Sequence, residues 1–296
     1  MSQIFGDLQN PTFQGEGNRA GVQTIFLRLF GCSLKCPGFF QPNPTDKSTY
    51  HSPINIDPSS IKTLKDMPVV EYGCDTLYAI DPRFKHLREG MEVDAAVIEI
   101  LSRLPNEKFV HPKTGNHIDL CITGGEPLLQ QKALGEFLMS LDDSIGLRDL
   151  PYEYPLIQIE TNGTTELTTD FKDILFATPF KIQFNVSPKL FNVAGEKDAW
   201  NYEAIANYSY YGDVILKIVM NNREESWYEL DGHIEKLKEN LYPYNLPSTY
   251  IMPVGSSYAQ QSDYKVTSQI VRRALKEGYH ISGRLQSTYL GNAVDV

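Results

Sequence analysis

The stretch IDLCITGGEPLLQQKALGEFLMSLDD, residues 118 to 143, contains the unit that decides the fold. IDLCIT reads as a short buried strand, GGEP as a turn, and KALGEFLMSLDD spaces its apolar residues as one face of a helix. The same order recurs downstream. Strands read PLIQIE (155–160), KIQFNV (181–186), VILKIVM (214–220) and STYIMPV (248–254), with helical stretches such as ESWYELDGHIEKLKEN and SQIVRRALKEG among them. Upstream, VQTIFLRLF (22–30) is a sixth strand and EVDAAVIEILSRL (92–104) its crossover helix. Alternation of this kind predicts an α/β fold, a parallel sheet with helices packed outside. Six units suit a partial (β/α)6 barrel better than a closed eight-fold one. No internal sequence repeat or low-complexity tract interrupts it, and one domain is expected over residues 1–296.

Composition narrows the function classes. A hydrophobic fraction of 41% with 11% aromatics is enough for a packed core over 296 residues. The net charge of −10 argues against a nucleic-acid partner, whose backbone calls for a basic groove. No apolar run is long enough for a membrane span, and MSQIFGDLQN lacks a basic-then-apolar signal pattern, so a cytoplasmic protein without membrane contact is expected. Four cysteines in a chain of this length are ligands, nucleophiles or core residues sooner than a disulfide framework.

Two of them open a question. GCSLKCPGFF (31–40) sets Cys32 and Cys36 in the first half of a CxxxCxxC spacing, then places Phe39 where the last cysteine would fall. Residues 37–73 hold six of the eighteen prolines, which rules out a long helix or central strand and reads as a surface insertion. The insertion ends at Cys74, in GCDTLYA. Cys121 sits mid-strand, where a small apolar residue is ordinarily core. His51 is a further candidate ligand, and a zinc site of three cysteines and a histidine stays open.

With the insertion set aside, Cys32 and Cys36 are followed by Cys-Asp-Thr, and here the chain resembles the 7-carboxy-7-deazaguanine synthases of the radical S-adenosylmethionine (SAM) superfamily. The resemblance runs from residue 5 to near 290, with the second and third cluster cysteines separated by the 37–73 insertion. It implies a [4Fe–4S] cluster on Cys32, Cys36 and Cys74, three thiolates that leave one iron open for the cofactor. Closing a long loop adds only a few kcal/mol, because the entropy grows logarithmically.

The remaining motifs follow the family order. PTFQGEGNRAG resembles the substrate loop, with Phe13, Gln14, Gly15 and Glu16 on a pterin-like ring; taken alone, QGEG is a glycine turn. Arg28, in an apolar strand where burial demands a partner, would pair with a substrate carboxylate. TGGEPLLQ (123–130) places Gly125 on SAM and Thr123 toward substrate, with Glu126 as a carboxylate at a helix N-terminus. IETNGT (159–164), NVSPKL (185–190) and YIMPVG (250–255) end strands, where parallel folds collect ligands. By resemblance Asp75, Ser187, Pro188 and Lys189 touch the cofactor. Pro253 does so with less support, because Met252, Pro253, Val254 and Gly255 depart from the family's Gln-Pro-acidic pattern. Thr76 matches its Mg²⁺ position.

The implied reaction converts 6-carboxy-5,6,7,8-tetrahydropterin to 7-carboxy-7-deazaguanine with loss of ammonia. No catalytic side chain is assigned beyond the cluster and cofactor. A homodimer and an electron donor such as a flavodoxin-type protein are implied as well. Two other readings share parts of the pattern: a glycyl-radical-enzyme activase or similar small radical SAM enzyme, and a non-catalytic metal-binding relative.

Overall fold

Alternate residues along the central strands part the molecule into an apolar shell and a polar interior. The structure, a computed structural model, describes residues 3–55, 57–88, 90–146 and 154–291. Its elements begin with β1 (Gln3–Leu8), β2 (Thr12–Phe13), β3 (Gln23–Leu29), α1 (Leu77–Ile80), β4 (Gly90–Glu92) and α2 (Val93–Arg103). They continue with β5 (Asp119–Gly124), α3 (Gln131–Gly146), β6 (Leu156–Thr161), α4 (Thr169–Ala177), β7 (Lys181–Val186), α5 (Phe191–Ala194) and α6 (Tyr202–Tyr208). The last are β8 (Asp213–Met220), α7 (Glu224–Leu241), β9 (Ser248–Pro253), α8 (Tyr258–Gln261), α9 (Tyr264–Lys276), β10 (His280–Ile281) and α10 (Leu285–Tyr289).

All six anticipated strands form. The sheet runs β10-β9-β8-β7-β6-β5-β3-β1-β4, parallel from β10 to β3, and its two edges do not pair with each other. It is an open, partial barrel, as anticipated. The strands β1 and β4 were not anticipated; both run antiparallel and extend the sheet beyond β3. Their signal is the period-2 placement of Ile4, Gly6 and Leu8, all buried.

The shell is built from the residues facing the helices. Ile25, Leu27 and Leu29 of β3, Leu120 and Ile122 of β5, Ile157 and Ile159 of β6, and Leu216 and Ile218 of β8 share one core. Helix α7 adds Trp227, Leu230, Ile234, Leu237 and Leu241 at the three- and four-residue intervals of one helical face. Positions between these point inward and are largely polar: Arg28, Asp119, Thr123, Gln158, Glu160, Gln183, Asn185 and Lys217.

Residues 37–73 do more than cross the surface. They form three-residue turns of 3-10 helix at Lys47–Thr49, Pro58–Ser60 and Leu64–Asp66. Ile54, Ile61 and Val70 are buried in a second core with Phe30, Tyr78, Ala79 and Phe84. No helix among the described residues is long and apolar enough to cross a membrane.

Candidate functional site

A cavity of about 360 Å³ opens at the carboxyl ends of the parallel strands. Cys32, Cys36 and Cys74 all line it. Cys32 and Cys36 lie on the loop after β3, where Glu196 accepts hydrogen bonds from the Lys35 and Cys36 amides at 2.7 and 2.5 Å. Cys36 has φ +48°, a left-handed conformation that this carboxylate grip helps to hold. Cys74 arrives because the insertion closes on itself, and its Sγ lies 3.3 Å from Thr76 Oγ1.

Burial pushes all three thiols up, Cys74 to about 11, so they are neutral at pH 7 without a metal and must release protons to bind one. Among the described residues, no three His, Cys, Asp or Glu side chains stand close enough to share one metal ion. Three thiols around one cavity suit a cluster, in which each sulfur takes a separate iron. The rival ligands are elsewhere. Cys121 is fully buried on the inner face of β5, and His51 stacks on Tyr72 with ring centroids 4.8 Å apart; neither lines the cavity.

The glycines of TGGEP serve the loop of Cys32 first. Gly125 donates to Leu29 O at 2.9 Å and Glu126 to Gly31 O at 2.7 Å. A Cβ on Gly125 would lie 2.0 Å from the Gly31 carbonyl oxygen. Glu126, fully buried, accepts from Leu128 N, Thr161 Oγ1 and Asn162 N, so it caps the turn after β5 and ties it to β6.

Twelve of the sixteen anticipated site residues line the cavity: Gln14, Glu16, Arg28, Cys32, Cys36, Cys74, Asp75, Thr76, Thr123, Gly125, Ser187 and Lys189. Lys189 Nζ donates to Ser187 Oγ at 2.8 Å, which gathers the SPK pair at one wall. The other four do not line it. Phe13 lies behind the loop with its carbonyl on Gln286 Nε2, and Gly15 packs against the Gln286 side chain. Pro188 and Pro253 are buried beside it.

Sequence reasoning missed three charged residues here. Lys217, in the middle of β8, is 4% exposed and bridges Glu16 at 2.9 Å and Glu160 at 2.7 Å. Glu160 also accepts from Thr123 Oγ1 at 2.8 Å and from Gln14 Nε2 at 3.3 Å, linking the N-terminal loop to three strands. Burial alone would raise the Glu160 carboxyl, but Lys217 and the hydrogen bonds overcome it and hold the group down to about 2. Arg284, beyond β10, pairs with Asp75. A polar residue inside an apolar strand was the available signal for Lys217, the same signal that singled out Arg28.

The lining carries four cations, Arg28, Lys189, Lys217 and Arg284, against three carboxylates, Glu16, Asp75 and Glu160. Arg28 Nε is buried without a hydrogen-bond partner. A surplus positive charge and an unmade guanidinium hydrogen bond suit an anionic ligand.

No family model matches the chain. It is similar in sequence to proteins named 7-carboxy-7-deazaguanine synthase. That of Hyperthermus butylicus is 25% identical over 283 residues, spanning 93% of this chain and 87% of the relative. That of Pyrobaculum aerophilum is 23% identical, with 98% and 94% spanned. Among solved structures, QueE from Escherichia coli aligns over 95% of this chain and 93% of its own, with TM-score 0.50 and 18% identity, a likeness of fold.

Proposed function

We propose that the chain is a radical SAM enzyme of the 7-carboxy-7-deazaguanine synthase type, converting 6-carboxy-5,6,7,8-tetrahydropterin to 7-carboxy-7-deazaguanine with loss of ammonia. The observation that carries this reading is the meeting of Cys32, Cys36 and Cys74 in the cavity that also holds Gln14, Glu16, Arg28 and Gly125. Similarity to the named synthases along nearly the whole chain supports the substrate class.

In this reading Cys32, Cys36 and Cys74 hold the cluster, and Gly125, Asp75, Ser187 and Lys189 surround SAM. Cluster and cofactor, when bound, supply one-electron chemistry that removes hydrogen from a substrate carbon. The protein's own part is positioning. Gln14 and Glu16 offer a donor and acceptors to a guanine-like edge, while Lys217 bridges Glu16 and Glu160 and holds Glu160 ionised. Arg28, whose Nε–H makes no hydrogen bond, would pair with the substrate carboxylate. A Mg²⁺ at Thr76 would complete its shell from substrate oxygens and water. One domain bearing the 37–73 insertion, a homodimer and a flavodoxin-type electron donor belong to the same proposal.

The test is turnover. Protein reconstituted with iron and sulfide without oxygen is given dithionite, SAM, Mg²⁺ and carboxytetrahydropterin, beside a Cys74→Ala variant. Deazaguanine from the wild type alone supports the reading. Cofactor cleavage by the wild type with no pterin turnover overturns it in favour of another radical enzyme, such as a glycyl-radical activase.

A further inference from the structure

The cavity holds a second guanidinium that no motif singles out. Arg284 pairs through Nη1 with Asp75, and its Nε lies 3.4 Å from Glu16 Oε1. That Nε is buried and makes no hydrogen bond, as is also true of Arg28 Nε. A buried charged donor without a hydrogen bond is costly, and both guanidinium groups belong to the lining of this one cavity.

The surrounding backbone keeps Arg284 in place. Leu285 N–H donates to Gly15 O at 3.1 Å and Gln286 Nε2 to Phe13 O at 2.8 Å, while Gly17 N–H donates to Ser282 Oγ at 2.9 Å. The residues flanking Arg284 are therefore tied to the Phe13–Gly17 loop, and its Nε lies against Glu16 of that loop. Both of its carboxylate partners, Glu16 and Asp75, also line the cavity, so the group lies between the N-terminal loop and the Asp-Thr turn after Cys74.

We propose that Arg284 is a substrate-binding residue, forming with Arg28 a two-arginine clamp on the carboxylate of a bicyclic nitrogen-heterocyclic substrate. Paired guanidinium forks match the planar, two-oxygen shape of a carboxylate and exclude analogues that lack it. The proposal rests on the function given above.

The experiment measures equilibrium binding to the reconstituted protein of three probes: 6-carboxypterin, pterin without the carboxylate, and SAM. Wild type, Arg284→Gln and Arg284→Lys are compared. Arg284→Gln is expected to weaken 6-carboxypterin about 10- to 100-fold and to leave pterin and SAM within about 2-fold, with Arg284→Lys intermediate. An equal loss for both pterins would make Arg284 a structural tie between Glu16 and Asp75 and overturn the clamp. A loss confined to SAM would overturn it by moving the residue to the cofactor. Wild-type protein with no affinity for either pterin would remove the functional reading itself. Wild-type affinity for 6-carboxypterin that neither Arg284 variant changes would remove only the clamp.

Discussion

Gly73 donates its amide hydrogen to the carbonyl of Phe39 at 2.9 Å, so the two ends of the long proline-rich segment meet in one hydrogen bond. The base of the loop is therefore no wider than a short connection would be. Cys74, the next residue, faces the cavity beside Cys36, as if the intervening residues were not there.

In the proposed function this geometry makes Cys74 the third cluster ligand. Reconstituted Cys74→Ala is expected to lose most of its iron and acid-labile sulfide, together with the cluster's visible absorbance, while its circular dichroism stays native. Cys121→Ala should keep a full complement. Equal iron in the two variants would move the third ligand elsewhere.

The insertion also carries core of its own. Ile61 is 1% exposed among Phe30, Tyr78 and Phe84, and truncation to alanine is expected to cost about 2 to 4 kcal/mol of stability. Denaturant unfolding of the cluster-free protein measures it. A loss below about 0.5 kcal/mol, the range of surface substitutions, would make the segment an appendage.

Gly125 tolerates no side chain, because a Cβ there meets the Gly31 carbonyl at 2.0 Å. Gly125→Ala must force the Gly31–Cys32 loop away from β5, at an expected cost on the order of 2 kcal/mol. Iron content and the unfolding midpoint should fall together. Native iron retention with only SAM binding lost would mean that the glycine serves the ligand alone.

Lys217 compensates two carboxylates at once. Lys217→Met takes the ion-pair partner from Glu160 and leaves Glu16 with Arg284 alone, and a loss of about 3 to 5 kcal/mol is expected. Chemical denaturation at pH 7 reports it, and a Lys217→Met protein as stable as wild type would show that the bridge contributes nothing.

The same bridge sets a pH dependence. The Glu160 carboxyl is held from its ordinary 4.5 down to about 2, so its contribution is present above about pH 4.5 and is lost as pH falls toward 2. Between about pH 5 and pH 3, wild-type protein should lose on the order of 1 to 2 kcal/mol more stability than Glu160→Gln. Parallel pH profiles for the two proteins would remove the ion pair as the cause.

The parallel strands were legible because strands covered by helices on one face and closed over on the other keep a dense apolar pattern, as IDLCIT and VILKIVM do. Strand β1 was not, since Gln3–Leu8 mixes glycine and aspartate with its apolar residues. At the site, CxxxC and GGEP could be read because their spacing is local. Lys217 looked like one polar residue in an apolar run, and only the fold brings it to Glu16, two hundred residues away in sequence. Arg284 had no local pattern at all; its place depends on backbone bonds to Phe13 and Gly15.

The hydrogen bond from Leu285 to Gly15 also has a bearing on how the protein is made. Chains emerge from the ribosome N-terminus first. All three cavity thiols are out once residue 74 has emerged, but their enclosure needs Gly125, Lys189 and finally Arg284. A nascent chain thus presents its cysteines to solvent and oxidants during most of its synthesis, with no finished cavity to protect a cluster. In the proposed function, loading of iron and sulfide is therefore a late event, timed to the arrival of the segment that latches the first loop to the last helix.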